Sequence, residues 1–337
     1  MTRKGRVDWI DMAKFWGMLL VVAGHHEAFG DLGRSMIFSF HMPLFFFMTG
    51  MFERKRGMLN VIKRGVKAYL FPYVLLVVLS AFTAGWLRGT IFAPFGVTNY
   101  EMDWILKSSL VYGNGWSLMW FLPCLFTASI LMELLFTIIK NDWIRGIIVV
   151  AINVITALFV PGPLYWELHE ALMALLFIYL GYLVRKYVLS EHMVLKEKIK
   201  KSKWFYVELV VATVVWIYCV IQRYYVNMVW SSYPAYPMSV IAAICGTELF
   251  LLLMASFPTN EFVKKMGENS LIIYLVHSLE HNLIPWDMIN EQISFQLQLP
   301  YMGVRVGTLL LRIALILAIT VIIVKIKEQV QGNAREK

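Results

Sequence analysis

Apolar residues in this chain come in blocks separated by short polar segments. Ten blocks fall near residues 9–29, 37–52, 68–87, 118–139, 143–160, 168–184, 204–222, 239–257, 269–284 and 303–324. A helix needs roughly 20 apolar residues to cross the hydrocarbon core of a bilayer. Lipid tolerates only helices and closed barrels, and continuous apolar runs are not the alternating pattern of a barrel strand. The pattern therefore predicts an all-α, polytopic membrane bundle of about ten transmembrane helices. Spans two and nine are short, and span two contains Pro43 and ends at Gly50. Short or interrupted spans often line sites.

Composition agrees with this pattern. The chain has 337 residues, of which 59% are hydrophobic and 16% charged, and its mean hydropathy is +0.64. The polar segments set the orientation. With the N-terminus inside, the cytoplasmic loops and the adjoining Arg145 hold 24 of the 31 Lys and Arg residues, and the outer loops hold Arg34, Arg88, Lys107 and Arg223. Basic loops stay in the cytoplasm, so both termini are expected there. The net charge of +9 then reflects topology, and nucleic-acid binding is not indicated. The outer segment 88–117 carries Trp104, Tyr112 and Trp116, and the segment 224–237 is also aromatic; both suit a membrane interface. Cys124, Cys219 and Cys245 lie in apolar runs with no metal or redox spacing, which reads as packing. Asp8, Asp11 and Lys14 interrupt the first block, so it does not read as a cleaved signal peptide. No soluble domain is expected at either end.

Ionisable side chains inside spans point to function. Lys14 and His25 are 11 residues apart. That is almost a whole number of turns, so they share a face about 16 Å apart along the axis, with Asp11 on nearly the same stripe. An imidazole exchanges protons near neutral pH, so His25 suits a general base or a nucleophile. The competing reading is a core histidine bonded to a neighbouring helix. His26 points elsewhere and reads as interfacial. Ser270, Tyr274, His277 and His281 fall on one face of span nine, as a catalytic stripe, a substrate-binding stripe or interhelical glue. Arg305, Thr308 and Arg312 share a face of span ten; Arg312 requires a partner, for which Glu248 or Glu133 is suitable. Arg64 and Lys67, with Arg54, Arg56 and Lys63 nearby, would sit at the cytoplasmic mouth of span three. Such cations bind phosphates, although they also serve as topology signals. Glu167, His169 and Glu170 read as a solvated interface rather than a metal site, and the lysine-rich run 196–201 as a solvated cytoplasmic segment.

Four stretches resemble the membrane acyltransferase-3 family, and more closely its fucose O-acetylase-like branch. They are Arg6–Lys14 followed by His25; Phe40–Gly50; Arg64–Lys67 with Pro72 and Tyr73; and Trp120–Pro123 with Asn269–His277. The resemblance implies one integral-membrane acyltransferase domain over 1–337, in a bacterial cytoplasmic (inner) membrane. It further implies an acetyl-CoA donor, a hydroxyl acceptor on a carbohydrate or glycolipid, and no metal. A basic residue ten positions before an essential histidine matches Lys14 and His25. An arginine-x-x-arginine pattern falls on Arg64 and Lys67. In both pairs a lysine stands where arginine is commoner, which keeps the charge but not the two-pronged grip. On this reading His25, Lys14, His277 and Tyr274 are the catalytic candidates, and Arg64, Lys67, Arg56 and Lys63 bind the donor. His25 acts as base or acyl carrier. Lys14, Tyr274, His277 or Arg312 steadies the oxyanion. Association with membrane lipid and with further copies of the chain is compatible with the sequence. The alternative from ten spans and buried charges alone is a transporter or flippase of a charged sugar or anion.

Overall fold

In the computed structural model, residues 7–113 and 117–333 are described, and they are overwhelmingly helical, with isolated β-bridges in place of strands. Arg6 of the first family stretch, and Asn114, Gly115 and Trp116 of the outer segment, lie outside the described residues. The principal helices are α1 (Asp8–Gly24), α2 (Gly30–Phe38), α3 (His41–Gly50) and α4 (Met58–Phe95), α5 (Ser117–Ile138), α6 (Asp142–Phe159), α7 (Tyr165–Val188), α8 (Lys203–Ile221) and α9 (Met238–Ser256). They continue with α10 (Glu261–Glu268), α11 (Ser270–Leu283), α12 (Trp286–Leu297) and α13 (Tyr301–Asn333).

Seven of these, α4 to α9 and α13, are long and apolar enough to cross a membrane. Each coincides with an expected span. The other three expected spans are also helical, but shorter: α1 has 17 residues, α3 has 10 and α11 has 14. These short helices carry most of the candidate chemistry. α1 buries eleven of its residues, Asp11 included. By contrast, only 17% of the apolar window of α8 and 22% of that of α6 is buried, against 56% for α5. Apolar faces left bare on α6 and α8 suit lipid contact, while α1, α3, α5 and α11 form the interior.

Local chemistry explains where the short helices stop. α1 ends at Gly24, not near residue 29 as the hydropathy suggests. There the Ala28 N–H donates to Nδ1 of His26 at 3.2 Å, and Gly30 takes φ +58°, a left-handed value that glycine adopts without strain. His25 is therefore the first residue beyond the helix. In α4, Pro72 cannot supply an N–H to the helix ladder, and a π turn over Val66–Leu70 comes immediately before it.

Close packing sets the interior. A Cβ at Gly50 of α3 would run into the Ile178 carbonyl, and one at Gly181 of α7 into the Phe47 carbonyl. Small residues at membrane helix contacts let backbones approach in this way. Gly267 of α10 lies equally close to the Asp11 carbonyl of α1. Lys264 reaches Asp8 at 2.6 Å and Lys265 reaches Glu328 at 2.8 Å. The start of α1 and the end of α13 therefore lie on the same side of the bundle, here called the termini side.

The solvated interface expected at residues 167–170 is overturned. Glu167, His169 and Glu170 are buried, at 5%, 1% and 0% exposure, rather than solvated. The aromatic segment after α8 folds over them: Ser231 Oγ donates to Glu170 Oε1 at 2.6 Å, and the Tyr233 ring stacks on His169. A cover supplied from more than 60 residues away leaves no local trace in the sequence.

Candidate active site

Two cavities open at opposite ends of α1. The first, on the termini side, has a volume of about 350 Å³; Lys14, Glu53, Arg56, Arg64, Ser270 and Tyr274 line it, with Tyr69 and Phe121 among its aromatic walls. The second, of about 540 Å³, is lined by His25, His281 and Arg312 together with Arg88, Tyr100, Trp286 and Asp287. Both volumes fall in the range of small-molecule sites.

α11 connects the two. Its polar stripe places Ser270 and Tyr274 on the first cavity and His281 on the second. Tyr274 and His281 are seven residues apart, about 10 Å along a helix. His277 lies between them, fully buried, and neither of its ring nitrogens makes a hydrogen bond within the protein. The rings of His25, His277 and His281 form a triangle with centroids 5.8, 5.7 and 6.0 Å apart. The shared face read from the sequence is thus real, and its His277–His281 half gathers around His25.

Arg312 organises this cluster from α13. It is 1% exposed. Its Nε donates to Glu280 Oε2 at 2.9 Å, Nη1 to the His25 carbonyl at 3.0 Å and Nη2 to His281 Nδ1 at 3.1 Å. The His25 carbonyl needs an outside donor because α1 has just ended, and the last carbonyls of a helix have no intrahelical partner. Glu280 also accepts the indole N–H of Trp286 and lies 3.5 Å from His277 Nδ1. The partner of Arg312 is therefore Glu280, not Glu248 or Glu133. Glu280 sits in span nine itself, one position off the histidine stripe. A carboxylate inside a span is a signal in its own right.

Glu133 has a different task. It is 2% exposed and accepts the backbone N–H groups of Arg56 and Gly57 at 3.0 and 2.8 Å. This fixes the segment that leads into α4 and so sets where Arg56 and Arg64 meet the first cavity. Around that cavity, burial pushes the Glu53 carboxyl above its usual range, and the Arg56 charge partly opposes the shift.

Not every sequence candidate reaches a cavity lining. Lys63 and Lys67 are exposed and lie outside the first cavity. Lys14 lies 3.4 Å from Asp11 Oδ1 and lines the first cavity, whereas His25 lines the second. The two share a stripe but not a chamber. His26 is structural: with Nδ1 accepting from Ala28, its Nε2–H is left to donate to Thr308 Oγ1, 3.3 Å away. Tyr274 donates to the Leu118 carbonyl at 2.7 Å. Among the described residues no group of His, Cys, Asp and Glu is placed to hold a metal ion.

An all-helical build and long apolar spans, with ionisable side chains gathered around cavities inside the bundle, define an integral membrane protein. The chain belongs to the acyltransferase-3 family, whose acyltransferase domain matches residues 7–326. The protein is therefore a membrane acyltransferase, which requires an acyl donor and an acceptor. No curated protein and no solved structure gives a significant match.

Proposed function

We propose that this acyltransferase moves an acetyl group from cytosolic acetyl-CoA to a hydroxyl of a sugar or cell-surface glycan precursor, as in the fucose O-acetylase-like branch of the family. The observation that carries this reading is the pair of cavities at opposite ends of α1, bridged by the polar stripe of α11. The termini-side chamber, with Arg56, Arg64 and Lys14, suits the phosphates of the donor. Its position agrees with termini held in the cytoplasm, where acetyl-CoA is made. The larger chamber, with Trp286, Tyr100, Asp287 and Arg88 around His25, suits a polyhydroxylated acceptor arriving from the other face.

Chemistry then falls to His25. As a base it takes the proton of the acceptor hydroxyl; as a nucleophile it carries the acetyl group briefly. General-base assistance is typically worth about 10²–10⁴ in rate, and holding both reactants in place adds to it. Lys63 and Lys67, exposed beside the basic chamber, serve as outer attraction for the donor rather than as its clamp. Lys14 belongs with the donor site.

The test uses purified protein in lipid vesicles with radiolabelled acetyl-CoA and a panel of sugar and lipid-linked acceptors. Wild type transfers label to one acceptor class, and His25→Ala inserts normally but transfers none. Transfer by His25→Ala at the wild-type rate would remove both roles from His25. Acceptor movement across the vesicle without any dependence on CoA would replace the reading with a transporter.

A further inference from the structure

Resting on the reading above, we infer that His281 is a second catalytic residue: a neutral imidazole fixed with its proton on Nε2, which donates a hydrogen bond to the oxyanion formed when the acyl carbonyl is attacked.

The argument begins with Arg312. A guanidinium has donors and no acceptor. Its Nη2 lies 3.1 Å from His281 Nδ1, so that nitrogen must accept. A neutral imidazole carries one proton, which then resides on Nε2. Protonating Nδ1 as well would set an N–H against the guanidinium and break the contact. Arg312 cannot swing aside readily, because Nε is bonded to Glu280 and Nη1 to the His25 carbonyl. The tautomer is therefore set by a charged group that is itself held at two other points.

The ring also borders useful space. His281 lines the larger cavity with His25, their ring centroids 5.7 Å apart. With Nδ1 taken by Arg312, Nε2–H is the hydrogen-bonding group His281 has left for a ligand. His25 and His281 thus differ in role although they are the same residue type. Among the described residues no cation is hydrogen-bonded to the His25 ring: Arg312 bonds its backbone carbonyl instead. One ring is free to accept a proton and the other is arranged to give a hydrogen bond.

With His25 as general base, the acceptor oxygen bonds to the thioester carbonyl carbon as its proton passes to His25. The carbonyl π electrons move onto oxygen, which receives the His281 Nε2–H bond. Collapse restores the C=O bond and breaks C–S, and the departing thiolate takes the proton back from His25. His281 neither gains nor loses a proton. A preorganised neutral donor of this kind is worth about 10²–10³ in kcat.

Two amide substitutions separate this role from a structural one. His281→Gln places an amide N–H near the Nε2 position; His281→Asn keeps an amide oxygen able to accept from Arg312 but puts no donor in the cavity. The expected result is a kcat within about tenfold of wild type for His281→Gln, and a loss of about 10²–10³ for His281→Asn with the acceptor KM little changed. Equal loss in both, or an active Asn variant with an inactive Gln variant, would overturn the assignment in favour of a packing role. A readout independent of turnover is the ¹⁵N spectrum of histidine-labelled protein, with His281→Gln identifying the resonance. It should show Nδ1 unprotonated and Nε2 protonated; the opposite tautomer, or a ring protonated at neutral pH, sinks the inference. If wild type itself transfers no acyl group, the broader reading fails instead, and the spectrum still tests the tautomer.

Discussion

Glu53 shows how one side chain can shape a binding site that otherwise reads as a cluster of cations. It lines the termini-side chamber beside Lys14, Arg56, Arg64 and Tyr69. Burial raises its pKa above the ordinary carboxylate range. Below that raised value the carboxyl is neutral and the chamber keeps its full positive charge. As pH climbs through it, a negative charge appears among the cations and opposes the donor phosphates. The apparent KM for acyl-CoA should therefore rise with pH over this window, and Glu53→Gln should flatten that rise. An unchanged pH dependence in the Gln variant would exclude Glu53 as its source. The same chamber explains why nearby charges are not equivalent. Arg64 lines it, while Lys67, one turn further along α4, is exposed and does not.

Among the helices, α3 and α7 meet in close backbone contact, with the Phe46 side chain buried in the same core cluster as α7. Gly50 and Gly181 each face a carbonyl of the other helix. Because a Cβ at either position meets main chain, which cannot rotate away, Gly181→Ala should be destabilising by about 1–3 kcal/mol or more, in the manner of an overpacked core. Thermal unfolding in detergent checks this; a melting temperature equal to wild type would mean that the helices separate freely. The contact has a consequence for the site. α3 follows α2, whose Phe38 ring packs against both His25 and His41, and its first residue, His41, donates from Nδ1 to the Ile37 carbonyl at 3.0 Å. Its far end leads into Glu53 and Arg56. α3 thus runs from the aromatic neighbour of His25 to the termini-side chamber, which Phe45, Met48 and Thr49 line, and its contact with α7 holds that wall in place.

For the whole molecule, the decisive quantity is which chamber faces the cytoplasm. In the proposed function the termini side is the inner one, as the charge bias of the loops leads one to expect. In a variant lacking native cysteines, an impermeant thiol reagent applied to intact cells should label Thr98→Cys, at the larger chamber, and should reach Lys198→Cys only after lysis. The reverse pattern would invert the donor and acceptor assignments. The arrangement also accounts for the contrast between apolar surface and polar interior. α6 and α8 leave most of their apolar windows uncovered, while Arg312, Glu280 and His277 are almost fully buried. Removing one member of the Arg312–Glu280 pair would strand a charge, which typically costs about 3–5 kcal/mol. The pair therefore belongs to the frame of the site as much as to its chemistry.

The sequence by itself determined the helical class, the long spans and the stripe Ser270–Tyr274–His277–His281, because helix periodicity and hydropathy are local properties carried by neighbouring residues. It also singled out His25 and Arg64, since an ionisable side chain in or beside an apolar run is conspicuous without any partner. Tertiary structure alone decided the rest. It ended α1 at Gly24, divided Lys14 from His25 between two chambers, paired Arg312 with Glu280, turned Glu133 toward the backbone of Arg56 and Gly57, and buried Glu167, His169 and Glu170 beneath a distant loop. Each of these depends on which helices lie side by side, and a charge buried in a bundle accepts whichever partner the packing brings within about 3 Å.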